Sequence, residues 1–196
     1  MIRFFDILFS LLGIVFLSPL LVVVYLMIII ESKGGGFFTQ ERVGLNGVNF
    51  KLIKFRSMAI GSDKKGLITI GGNDSRITKT GLFIRKFKID ELPQLFNVIN
   101  GDMSLVGPRP EVRKYVDLYT SEQQGVLKVK PGITDYASIE YANENEILGN
   151  ATDPDKVYIQ EIMPAKIQLN MKYIQNRNLK EYFKIIFLTF YKIASN

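Results

Sequence analysis

The sequence predicts an α+β, mainly helical chain anchored by an apolar N-terminal segment, and three observations support this. From Ile7 to Ile30 no charged side chain occurs, although 22% of all residues are charged. Beyond Gly81, apolar residues recur at helical spacing. Between these regions, two short aromatic-apolar runs flank a Gly44-Leu45-Asn46-Gly47 turn signal.

The apolar segment reaches roughly 36 Å as a helix, against about 30 Å of bilayer hydrocarbon, so it belongs in a membrane. Asp6 is the one charged residue between Phe4 and Ile30. The run is longer than the apolar core of a signal peptide, and no A-x-A-like site precedes Glu31-Ser32-Lys33. Ser18-Pro19, near its middle, predicts a kink. Composition favours a kinked spanning helix, because proline is tolerated in membrane helices. Charge points the other way. Of the 25 Lys and Arg residues, 24 follow the segment and draw the bulk to the cytoplasm; Arg3 at the other end has the same preference, which requires the helix to re-enter. These residues leave both topologies open.

Gly34-Gly35-Gly36 reads as the linker between a membrane part, residues 1–33, and a part with the composition of a soluble domain, residues 34–196. Phe37 to Gln40 and Phe50 to Phe55 form a short β-hairpin. Ile60 to Thr80, rich in Gly, Ser, Asp, Lys and Thr, is a loop of the kind that closes over a substrate. Gly81 to Lys88 is a short amphipathic helix with Leu82, Phe83 and Phe87 as its apolar positions. Leu92, Leu95, Phe96 and Ile99 make the next helix, stopped by Asn100-Gly101. Pro110 to Glu122 predicts another, and Lys130-Pro131-Gly132 a turn. The C-terminal region, 164–196, is helical. Its last part interleaves Phe183, Ile186, Phe187, Phe190 and Tyr191 with Lys180, Lys184 and Lys192, a pattern that suits an interfacial helix on anionic lipid and core packing equally.

The chain contains no His and no Cys, which excludes His-dependent triads, thiol nucleophiles and His/Cys zinc sites. Carboxylates are the natural alternative, and Asp90 and Glu91 are adjacent. Neighbouring helical positions do not face each other, so these two are not a shared-proton dyad. They suit a division of labour, one attacking phosphorus and the other holding a divalent cation. The plainer reading makes Asp90 a helix N-cap worth about 1 kcal/mol and Glu91 a first-turn acid. The surrounding cations favour phosphate chemistry. Arg85, Lys86 and Lys88 precede the pair, and Pro108-Arg109-Pro110 stiffens the backbone around one guanidinium. A nucleic-acid role rests only on the net charge of +6, with no recognised binding motif.

Three ordered motifs carry a resemblance: QERVGLNGVNFKLIKFRSM (Gln40 to Met58), IDELPQLFNVINGDMSLVGPRP (Ile89 to Pro110) and VKPGIT (Val129 to Thr134). With the apolar segment they resemble the bacterial sugar transferase family, the monotopic phosphoglycosyl transferases, in its small bacillosamine-phosphate-transferase-like form. The resemblance implies transfer of a sugar-1-phosphate from a UDP-sugar to undecaprenyl phosphate, with UMP released. It implies a covalent phosphosugar-Asp intermediate and a place at the first membrane step of glycoconjugate synthesis, for a capsule, O-antigen, exopolysaccharide or glycoprotein glycan. It makes Asp90 the nucleophile, Glu91 the Mg²⁺ ligand, Arg85 a phosphate or lipid-headgroup contact and Arg109 a nucleotide contact. Lys54, Arg56, Pro108 and Pro110, inside the matched motifs, are further substrate-binding candidates. Ser18 and Pro19 match the family's broken re-entrant helix. That places both ends of the segment in the cytoplasm and the catalytic domain on the cytoplasmic face of the bacterial inner membrane. The implied partners are UDP-sugar, undecaprenyl phosphate and membrane lipids, with no nucleic acid; a homodimer is left open.

Two departures bear on function. Lys88 stands where the family often has Ser or Thr, and Asp135-Tyr136-Ala137-Ser138 replaces the usual continuation of KPGIT. The stretch from Asp135 to Glu140 is therefore expected to tune donor choice. A non-catalytic membrane scaffold of a polysaccharide-assembly complex would retain the apolar segment but need no Asp90-Glu91-Arg109 constellation.

Overall fold

The structure, a computed structural model, describes residues 1–62 and 74–195. Helix α1, Ile2–Glu31, is apolar over most of its surface and leaves Phe4, Val15, Phe16 and Ile30 exposed. The expected break at Ser18-Pro19 does not interrupt it, because the backbone stays helical through Pro19. Proline lacks the N–H that would reach the Val15 carbonyl, and the Ser18 hydroxyl donates to that same carbonyl at 2.8 Å. The helix-break-helix expectation for residues 1–33 therefore becomes one helix whose proline defect is satisfied locally.

Both ends of α1 rest on the same body. At its start Arg3 donates to the Val98 and Ile99 carbonyls, at 2.6 and 3.1 Å. One turn on, Asp6 is buried and accepts from Ser104 Oγ, the Leu105 amide and the Tyr182 hydroxyl, each at 2.9 Å. At mid-helix Gly13 lets Leu95 approach, since a Cβ there would lie 3.2 Å from Leu95 Cδ1. Near the other end Val24 and Ile28 pack with Phe55 and Ile84. Glu31 then accepts from the Lys79 and Thr80 amides at 2.8 and 2.9 Å.

Strands β1, Phe37–Val43, and β2, Asn49–Phe55, form the expected antiparallel hairpin, with Val43 opposite Asn49 and Phe37 opposite Phe55. Most of the loop expected at Ile60 to Thr80 lies outside the described residues. Its end is helical, because α2, Lys79–Lys86, starts where the Thr78 hydroxyl accepts from the Gly81 amide. Helix α3, Gln94–Asn100, matches the second helical pattern.

Short strands β3, Ser104–Val106, and β4, Gly132–Thr134, pair in parallel. Gly132 permits the crossing, since a Cβ there would lie 2.1 Å from the Gly107 nitrogen. The helix expected from Pro110 to Glu122 shrinks to α4, Arg113–Val116. Chain pairing outcompetes helix here: the Glu111 carbonyl accepts from the Val43 amide, and its side chain accepts from Val112.

Helices α5, Tyr136–Glu140, α6, Glu144–Gly149, and α7, Pro154–Val157, lead through a π-turn at Tyr158–Ile162 into α8, Met163–Gln175. Helix α9, Leu179–Ala194, buries Tyr182 and Ile185 and sets Phe183 edge-on to Phe5 of α1 at 5.1 Å. One stripe of it packs on the core, while Phe187 and Phe190 remain 70% and 69% exposed.

Candidate active site

A cleft of about 600 Å³ opens between the hairpin, α2, the segment after β3, and α5 to α8. Asp90, Glu91, Arg85, Lys54, Arg56, Arg109 and Pro110 all line it. Asp90 lies in a 3₁₀ turn, Ile89–Glu91, entered through Lys88 in a left-handed conformation at φ 56°. This overturns the N-cap reading, since α3 starts four residues later and its N-cap position is Pro93. Among the described residues the Asp90 carboxylate forms no hydrogen bond or ion pair, although the residue is only 7% exposed.

Glu91 does the opposite. Its carboxylate takes both guanidinium nitrogens of Arg109 and the Lys54 ammonium, the last at 3.2 Å. The two acids consequently titrate apart. Burial, and secondarily the charge of Glu91, raises Asp90 above the usual aspartate value, while Lys54, Arg85 and Lys88 pull against that rise. Burial opposes ionisation of Glu91 too, but Arg109 and Lys54 together override it and hold the group well below the ordinary glutamate range. Burial also lowers Lys54, and Glu91 holds it up.

Secondary structure fixes each of these groups. Asn97 of α3 accepts from the Ile53 amide at 2.9 Å and donates to the Lys51 carbonyl at 2.8 Å, so α3 is pinned to the strand that carries Lys54. The parallel strands β3 and β4 deliver Arg109 and Asp135 side by side, and the Arg109 amide donates to Asp135 at 2.8 Å. The Pro108 carbonyl accepts from Gly132, and the Pro110 carbonyl from Arg42 at 3.1 Å. The two prolines thus shape the loop through their carbonyls. Arg56 lines the cleft, but its guanidinium donates to Ser32 and to the Gly34 carbonyl and secures the exit from α1.

Sequence reasoning missed a polar wall beyond Arg109. Arg42 pairs with Glu111 at 3.1 Å and with Gln40 at 2.7 Å, and Glu111 accepts from the Tyr158 hydroxyl. Lys166 pairs with Glu144 at 2.6 Å. Gln40 and Arg42 stood inside the first motif, a usable signal. Glu144, Tyr158 and Lys166 lie outside all three motifs.

A sequence model of the bacterial sugar transferase family matches residues 1–196. The chain belongs to the bacterial sugar transferase family. It is similar to a putative undecaprenyl-phosphate N-acetylgalactosaminyl 1-phosphate transferase of Bacillus subtilis (strain 168), 46% identical over 63% of this chain and 69% of that protein. It is 39% identical to a UDP-N-acetylgalactosamine-undecaprenyl-phosphate N-acetylgalactosaminephosphotransferase of Aeromonas hydrophila, over 95% of this chain and 42% of the relative. It is also 39% identical to a UDP-glucose:undecaprenyl-phosphate glucose-1-phosphate transferase of Klebsiella pneumoniae, over 97% of this chain and 39% of the relative. The family member described here thus spans about two fifths of the length of the last two.

Among the described residues no group of three or more His, Cys, Asp or Glu could hold a metal ion. Mg²⁺ retains waters and binds through one or two carboxylates plus substrate phosphates. The donor set fits on those terms. Asp90 is unspent, and the Glu91 carboxylate, which accepts three hydrogen bonds from Arg109 and Lys54, keeps about one lone-pair site, on Oε2.

Proposed function

We propose that this sugar transferase moves a sugar-1-phosphate from a UDP-sugar to undecaprenyl phosphate, releasing UMP, through a covalent phosphosugar on Asp90. The observation that carries the proposal is the contrast within the acidic pair. Glu91 is neutralised by Arg109 and Lys54, while Asp90 is buried beside the same cations with its oxygens uncommitted. A buried carboxylate without a partner costs stability, and such a cost persists where function needs the group.

In the first step an Asp90 oxygen attacks the sugar-bearing phosphorus. The P–O bond to the UMP portion breaks, and its electron pair leaves with UMP. In the second step a phosphate oxygen of the lipid attacks that phosphorus, and the Asp90 carboxylate leaves. Lys54, Arg85, Lys88 and Arg109 supply the cationic surroundings that receive phosphate charge. Mg²⁺, held by Glu91 with substrate phosphate, would draw charge off the phosphate oxygens. Splitting the transfer lets one cleft serve two bulky substrates in turn.

The site is proposed to work at the cytoplasmic face of the inner membrane, with α1 re-entrant. Contacts at both ends of α1 with one body support this topology, because a helix crossing the bilayer would leave one end on the side away from that body. The test is product analysis with full-length protein, Mg²⁺, undecaprenyl phosphate and a panel of UDP-sugars. UMP and a lipid diphosphate-sugar are expected; UDP and a lipid monophosphate-sugar would show an ordinary glycosyl transfer instead.

A further inference from the structure

The polar wall beyond Arg109 contains groups that neither folding nor the phosphate chemistry uses. Glu144 gives only Oε2 to Lys166, and among the described residues its Oε1 accepts from nothing. Asn145, next to it on α6, has an exposed side chain with no hydrogen bond among those residues. Ser138 on α5 has a buried hydroxyl without a partner. All three line the same cleft as Asp90. A carboxylate oxygen, an amide and a hydroxyl offer the donors and acceptors that a polyhydroxylated ring needs.

The wall is held rigid. Lys166 sits between Glu144 and the Tyr158 ring, 2.6 Å from the carboxylate and 5.6 Å from the ring centroid. Tyr158 is tied to Glu111, and Glu111 to Arg42. Such support fixes the direction in which Glu144 presents its free oxygen.

Charge decides which part of the donor lies there. On this wall Lys166 cancels Glu144 and Arg42 cancels Glu111, whereas Lys54, Lys88 and Arg109 gather around Asp90 and Glu91, so the diphosphate belongs at that end and a neutral portion at this one. Of the tyrosines on this wall, Tyr158 has Lys166 over its ring and Tyr115 tilted against it at 4.8 Å, which leaves Tyr141 as the ring for a uracil to stack on, and inhibition by UMP reads that alternative.

We infer that Ser138, Glu144 and Asn145 form the subsite that binds the transferred pyranose ring of the donor and selects among sugars by their hydroxyl and acetamido groups. This rests on the proposed transfer reaction and adds a place and residues for donor choice. It moves that choice partly outside the Asp135 to Glu140 stretch expected from sequence, with Ser138 alone shared. Overall similarity does not make the choice, since relatives named for N-acetylgalactosamine and for glucose are both 39% identical to this chain.

The test uses full-length protein with Mg²⁺, undecaprenyl phosphate and UDP-glucose, UDP-galactose, UDP-N-acetylglucosamine and UDP-N-acetylgalactosamine. Wild type, Glu144→Gln and Asn145→Ala are compared by kcat/KM for each donor and by inhibition with UMP. Asn145 is exposed, so its variant folds even if loss of the Lys166 pair harms the other. The expected result is a change of about tenfold or more in the ratio between donors, with UMP inhibition unchanged. Two results overturn the inference: donor ratios unchanged in both variants of an active enzyme, or uniform losses accompanied by weaker UMP inhibition, which would make this the nucleotide site. A wild type that releases UDP overturns the reaction reading and this inference with it.

Discussion

In the proposed mechanism, Asp90 is the residue at which stability and function oppose each other. Its folded pKa is raised, so folding disfavours the ionised form, and at any pH above that folded value the group lowers stability. Asp90→Asn removes the burden. The variant is expected to lose transfer by at least about a thousandfold while its melting temperature at pH 7.5 stays level or rises; a marked fall would make Asp90 a structural residue. The same shift sets a pH profile. The proposed attack requires ionised Asp90, so the acid limb of kcat/KM should lie above the ordinary aspartate value of 3.8, and Lys54→Met should move it higher by removing a cation that favours ionisation. Glu91 behaves in the opposite sense. Its depressed pKa contributes stability that is fully present above 4.5 and lost as pH falls through the folded value, so Glu91→Gln should flatten the dependence of melting temperature on pH below 4.5. Asp90, Glu91 and Arg109 were legible in the sequence because they stand in compact motifs. The roles of Asn97, although it stands in the same motif, and of Glu111 and Tyr158 were not, because their partners lie 44 to 47 residues away and only the fold joins them.

At the scale of elements, the parallel pairing of β3 and β4 holds Arg109 against Asp135, and it depends on backbone contact at Gly132. Gly132→Ala is expected to cost about 3 kcal/mol and to abolish transfer, read by thermal unfolding alongside activity; full activity with an unchanged melting temperature would show that the crossing adapts. Elements set by local chemistry were readable: the hairpin from its turn, α3 from its apolar spacing. The helix expected from Pro110 was not realised, because pairing of Glu111 with Val43 is a distant contact with no local signature. The Ser18-Pro19 step shows a related limit. The sequence marks a defect in α1, and the hydroxyl beside the proline satisfies the carbonyl it frees, so the backbone stays helical there.

Across the whole molecule, α1 is bound to the catalytic body at its start, middle and end, and leaves a broad apolar surface facing outward. A re-entrant placement predicts that both ends of α1 face the cytoplasm. The chain has no cysteine, so single cysteines placed near residue 2 and residue 33 can be probed without background. Both should resist an impermeant thiol reagent added outside intact spheroplasts and react after lysis; labelling of position 2 from outside would establish a spanning helix. The account as a whole turns on the covalent step. The most direct measurement is intact mass together with UMP release, taken on purified wild-type protein with Mg²⁺ and a usable UDP-sugar but no lipid acceptor. The prediction is a burst of about one UMP per enzyme and a phosphosugar adduct that is absent in Asp90→Asn. UMP release that waits for undecaprenyl phosphate, with no adduct at any time, would contradict it and point to direct transfer within a ternary complex.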